Sequence, residues 1–148
     1  MKRIKTLIIT LIFSVIFIIP SHANKSVEEI IKGRKAIFSK NYQTAKKISI
    51  LLKSNKIEEA KPLMQEMSDN YKKLLNYFPE NTKEGFKTEA LPTIWENSDE
   101  FVTLMQKASS DMIQLAKAID TAEDLRAIQK ELMWSNCSAC HNRFRAEH

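Results

Sequence analysis

Two apolar series recur every seven residues through one stretch of this chain: Ile94, Phe101, Ala108 and Leu115, and beside them Met105, Met112 and Ile119. A seven-residue repeat holds its members on one stripe of an α-helix and scatters them over both faces of a strand, so it commits the stretch from about Pro92 to Ile119 to an amphipathic helix. The same reading extends along the chain. From about Val27 to Leu52 the stripe holds Val27, Ile30, Ile31, Phe38, Ala45, Ile48 and Leu52. From about Ile57 to Phe78 it holds Met64, Met67, Tyr71, Leu74 and Phe78, with Pro62 in or near the first turn or kinking the helix. A fourth helix is expected from Thr121, a plausible N-cap, towards Arg145. Glycine and proline are scarce in these segments, and no strand alternation, internal repeat or low-complexity stretch competes with them.

Loop lengths limit how four helices can be arranged. Lys53 to Lys56 and the junction near Asp120 are short and make neighbours antiparallel, whereas Pro79 to Leu91 spans 13 residues and can cross an end of the bundle. The expected fold is all-α, an antiparallel up-down-up-down four-helix bundle in one domain.

The fourth helix carries Cys137-Ser138-Ala139-Cys140-His141, a C-x-x-C-H run that holds both cysteines of the chain. The spacing i, i+3, i+4 places two thiols and an imidazole on one helical face, which suits covalent attachment of one haem c through Cys137 and Cys140 with His141 as proximal iron ligand. The haem would sit in the core near one end of the bundle. A thioredoxin-like dithiol would need a preceding strand, but Leu125, Ile128 and Leu132 lead into the motif at helical spacing. A structural zinc site would need about four ligands, and beyond the two cysteines and His141 only the terminal His148 is at hand. A chance match is the remaining alternative.

The N-terminus points to export. Lys2, Arg3 and Lys5 precede a 15-residue apolar run from Thr6 to Pro20, and Ser21-His22-Ala23 puts small residues at the positions read by a signal peptidase. Residues 1–23 are therefore expected to be a cleaved signal peptide, with cleavage before Asn24 and residues 24–148 as the mature domain. The run falls short of the roughly 20 apolar residues that span a bilayer. Export to the periplasm also matches covalent haem attachment, which takes place outside the bacterial cytoplasm. Without the signal, 20 basic residues face 18 acidic ones on 125 residues, a net charge of +2. That balance predicts neither nucleic-acid binding nor a polybasic membrane surface.

Only seven residues follow His141 and none is Met, so any sixth iron ligand must lie upstream. With its attachment motif on the last of four helices, the chain resembles the class II c-type cytochromes, and among them the cytochromes c′. The resemblance covers essentially all of the mature chain. It rests on Arg34 in the first helix, on Pro92-Thr93-Ile94-Trp95, and on the Cys137–His141 motif followed by Phe144-Arg145 where the family usually has Tyr-Arg.

The resemblance implies further roles. Phe38, four residues after Arg34, corresponds to the family position over the distal side of the haem, where Met gives a six-coordinate iron and a residue that cannot ligate leaves it five-coordinate. Arg34 is implied to partner a haem propionate, although by its pattern alone it reads first as an arginine at the edge of an apolar stripe reaching for water. Arg145 is implied to lie beside the proximal imidazole, against the plain reading of a frayed last turn. The methionines, Trp95, Trp134, Tyr77 and Phe144 read as core or haem-packing residues. Two positions depart from the family: Gly33, which reads either as a close helix contact, such as one across a dimer, or as without meaning, and Ser138, where Lys is frequent.

The resulting expectation is a periplasmic cytochrome c′ with a five-coordinate high-spin haem that binds nitric oxide and carbon monoxide, acting in nitric oxide capture or protection without substrate turnover. The alternative is a low-potential one-electron carrier with an unidentified redox partner. A homodimer through the first two helices is implied by the resemblance.

Overall fold

A computed structural model describes residues 25–147. The expected signal peptide and His148 lie outside the described residues. Among the described residues there are six α-helical stretches: α1 Val27–Lys53, α2 Ile57–Leu74, α3 Thr93–Glu96, α4 Ser98–Ala118, α5 Leu125–Gln129 and α6 Ser135–Phe144. They make four bundle members, because α3 leads into α4, and α5 is joined to α6 by a π-helical turn at Lys130–Trp134.

Local chemistry sets where each helix begins and ends. Ser26 caps α1 through a capping box, its hydroxyl accepting from the Glu29 amide while the Glu29 carboxylate accepts from the Ser26 amide. Asn55, with φ of 56°, takes the left-handed conformation that turns the chain tightly into α2. Pro62 lies inside α2, which runs on unbroken to Leu74 and continues as a 3-10 turn, Leu75–Tyr77.

Two expected boundaries need correction. The third helix is not continuous from Pro92: Asn97, with φ −125° and ψ 48°, breaks it between Glu96 and Ser98. The apolar period runs through the break and so gives no sign of it. Thr121 is not the N-cap of the fourth helix. Asp124 is, its carboxylate accepting from the amides of Arg126 and Ala127 at 2.9 and 3.0 Å. A carboxylate at that position also complements the helix dipole.

The core lies between α1, α2 and α4, closed by the fourth helix. Met64, Met67, Met105, Met112 and Met133 are all buried in it, in line with their reading as core residues. Where α2 crosses α4, the Ser68 and Ser109 hydroxyls meet at 2.8 Å, so two buried polar groups satisfy each other.

Gly33 has an explanation within the chain: a Cβ there would lie 2.6 Å from Cε1 of Tyr77, so the glycine admits the buried Tyr77 ring against α1. Gly33→Ala gains about 1 kcal/mol of helix propensity but forces an overpacked contact costing about 1–3 kcal/mol. We expect a net loss of about 1 kcal/mol and a melting temperature lower by a few degrees. An unchanged or higher melting temperature would show that Tyr77 moves aside freely.

Candidate haem-binding site

The π-helical turn Lys130–Trp134 sets the phase of the motif. Its last bond runs from the Ser135 amide back to the Lys130 carbonyl, five residues away, which inserts one residue into the helical register before α6 begins. From that start Cys137, Cys140 and His141 all line a single cavity of about 690 Å³ between α1, α2, α4 and α6. Phe38 and Arg34 line it from α1, and Arg145 lines it from just beyond α6. The six residues singled out in the sequence therefore meet in one place.

Both thiols are free and half-buried. Burial pushes the Cys137 thiol up, opposed by a hydrogen bond from Tyr71. Burial first, and the neighbouring Cys137 second, push Cys140 up to about 11. Tyr71, buried in the same wall, is itself pushed well above the usual phenol range, first by burial and then by Cys137. Asn41, beside it, accepts from Asn70 at 2.8 Å.

Arg34 is 2% exposed, so it does not reach for water as an edge arginine would. Its Nη1 donates to the Tyr77 carbonyl and the Thr82 hydroxyl, and its Nη2 to the Thr82 carbonyl and the Thr88 hydroxyl. Its guanidinium also stacks 4.9 Å from the Phe78 ring centroid and 5.9 Å from that of Trp95. These four acceptors are neutral oxygens of the 77–88 segment, so the side chain straps the long loop to α1. Burial lowers the pKa of Arg34, a measure of how much its charge has lost in leaving water.

The strapped loop reaches the end of the chain. The Leu91 amide donates to the Phe144 carbonyl at 3.0 Å and the Ala146 amide to the Glu89 carbonyl at 2.8 Å, with Ala90 and Arg145 forming an isolated antiparallel bridge. Arg145 is thus stitched down rather than frayed. Its Nη1 lies 3.4 Å from Nδ1 of His141 and its Nε 3.4 Å from the Glu89 carboxylate. Phe38 is partly buried, its ring edge-on to Phe78 at 6.4 Å between centroids.

The residues present fit a covalently held haem. Two thiols and an imidazole face a cavity of the size used for organic cofactors, walled by aromatic and aliphatic carbon and flanked by two guanidinium groups. Among the described residues no group of three or more His, Cys, Asp and Glu side chains could hold a metal ion. Sequence reading passed over Tyr71 and Asn136, which also line the cavity. Tyr71 was hidden in an apolar stripe, while Asn136, next to Cys137, was a visible polar neighbour of the motif.

A family model described as Cytochrome C' matches residues 29–145. The chain belongs to the cytochrome c′ family. It is 32% identical over 122 residues to a cytochrome c' of Rhodopseudomonas palustris, covering 80% of this chain and 83% of that protein. A solved structure of cytochrome c' from Rhodopseudomonas palustris superposes with a TM-score of 0.69 at 30% identity, covering 80% of this chain and 97% of that one. A variant of cytochrome c prime from Alcaligenes xylosoxidans, solved as a nitric oxide complex, shares the fold at 20% identity, with a TM-score of 0.70 and coverage of 82% and 98%. Cytochromes c′ are four-helix bundles that bind haem c, and Cys137 and Cys140 are the pair consistent with its covalent attachment here.

Proposed function

We propose that this cytochrome c′ is a periplasmic protein whose five-coordinate high-spin haem binds nitric oxide first and carbon monoxide second, serving nitric oxide capture or protection. The observation that carries this reading is Phe38: it lines the cavity that holds His141, and α1, which supplies it, contains no Met, His or Cys. When bound, the haem supplies an iron able to take a diatomic ligand or one electron. His141 is the proposed proximal ligand and Phe38 the distal lid, a side chain that must yield space and offers no hydrogen bond to a bound ligand. Arg34 holds the loop and places positive charge at the cavity wall, where it suits a propionate. Arg145 stands at the proximal imidazole. The nitric oxide complex of the Alcaligenes xylosoxidans relative is in keeping with this ligand class.

A second reading has its own observation. Met67 and Met105 are buried and line the same cavity, so either thioether is a candidate sixth ligand for a low-potential one-electron carrier. The absorption spectrum of the ferrous protein separates the two. We expect the broad band of a high-spin five-coordinate haem and a large change on adding carbon monoxide. Sharp low-spin bands before any ligand is added would assign the protein to electron transfer.

Export follows from the expected signal peptide, residues 1–23, with cleavage before Asn24. Among the described residues no helix is long and apolar enough to cross a membrane. Two copies are proposed to pair through α1 and α2, where Tyr42 and Ile50 of α1 stand exposed.

A further inference from the structure

Asp111 is a buried carboxylate for which gas binding supplies no use. It sits on α4 one turn after Ala108, which lines the cavity, and its side chain is 5% exposed. Two groups hold it. Lys107, one turn earlier on α4 and 56% exposed, forms an ion pair with Oδ2. Asn136 of α6 donates to the same oxygen at 2.9 Å, and its Nδ2 also donates to the Leu132 carbonyl at 2.9 Å within the π-helical turn. Asn136 lines the cavity and immediately precedes Cys137. The carboxylate thus grips the residue just before the motif.

The two charges of the ion pair do not cancel inside the protein. Lys107 has its head in water, where its field is screened, whereas the carboxylate is buried in the low-dielectric interior against Asn136, which lines the cavity. A buried acceptor that has lost its water is retained only with strong partners, and these are present.

We propose that Asp111 is a positioning residue for the haem: through Asn136 it fixes the first turn of the attachment motif, and its buried negative charge holds the reduction potential down. The charge acts because adding an electron near a fixed anion is disfavoured, which favours the ferric form. The proposal rests on the covalent haem assignment and applies whether the iron is five- or six-coordinate. A wild-type ferrous spectrum that overturned the gas-binding reading would therefore leave it standing.

The test is a potentiometric titration of the intact holoprotein. Asp111→Asn keeps an oxygen that can accept from Asn136 but removes the charge. It is expected to raise the ferrous-to-ferric ratio at fixed ambient potential about tenfold, equivalent to about 59 mV for one electron. Lys107→Gln, a change at an exposed side chain, is expected to move the ratio the opposite way by about twofold, because the cation it removes is partly screened. Shifts of opposite sign support the proposal. An unchanged ratio in Asp111→Asn, or a fall, overturns it, even if the melting temperature drops, since lost stability alone would mark Asp111 as merely structural. If Asp111→Asn yields no folded holoprotein, Lys107→Gln decides: an unmoved potential overturns the proposal.

Discussion

Replacing both Cys137 and Cys140 with Ala is expected to yield a chain with no haem retained under denaturing conditions, where the wild type keeps its chromophore on the polypeptide through gel electrophoresis and acid-solvent extraction. The loss should be complete, because these are the only two thiols in the chain and both face the cavity. The fold should suffer as well. A cavity of about 690 Å³ lined mainly by apolar side chains leaves many of them without packing partners. Burying one large apolar side chain contributes about 1.5–3 kcal/mol, so leaving several without the haem is a large loss against the 5–15 kcal/mol that stabilises a whole domain. The double variant is therefore expected to lose helical circular dichroism or to collapse onto the empty space. His141→Ala separates ligation from attachment: the tethers remain, and the chromophore stays on the chain with an altered spectrum. Haem extracted from the native wild type by acid solvent would contradict the assignment of Cys137 and Cys140 as tethers.

Phe38 gives the second large effect. Its ring lies edge-on to Phe78 at 6.4 Å, a contact worth about 0.5–1.5 kcal/mol, and a ligand entering on that side has to displace it. Phe38→Ala removes the displacement cost and is expected to speed carbon monoxide association by about tenfold, since about 1.4 kcal/mol corresponds to a factor of ten. Phe38→Met replaces the ring with a thioether at the same place on α1, and the ferrous spectrum is expected to shift from high-spin to six-coordinate low-spin. Stopped-flow mixing and absorption spectroscopy read the two outcomes. If both substitutions leave kinetics and coordination unchanged in a high-spin wild type, Phe38 does not lie over the iron. If the wild type is already low-spin, substituting Met67 or Met105, which line the cavity, identifies the sixth ligand.

Much of the bundle was readable because a buried helical face repeats. The stripe through Ile31, Ala45, Ile48 and Leu52 and the sevenfold series through Phe101, Ala108 and Leu115 proved to be core. The motif was readable for a related reason: its chemistry needs three residue types at fixed spacing on one helix, and local spacing is what a sequence displays. Breaks in the helices were not. Asn97 interrupts the third bundle member without disturbing its apolar period, and the π-helical turn at Lys130–Trp134 leaves no local signature while rotating everything after it.

The long-range contacts around the site were beyond the sequence altogether. Arg34 could be read as an edge arginine or as an anion partner, and only the return of the 77–88 segment over α1 showed its four terminal hydrogen bonds going to neutral loop oxygens. Gly33 acquired a purpose only when Tyr77, 44 positions later, was found against it. Asp111 and Asn136 lie 25 positions apart, and their hydrogen bond exists only because α4 and α6 pack together. Helix type and attachment chemistry follow from neighbours a few residues apart, whose geometry the backbone period dictates. Which polar groups meet in the interior depends instead on how helices distant in sequence pack, because a buried donor or charge is tolerable only where that packing brings it a partner.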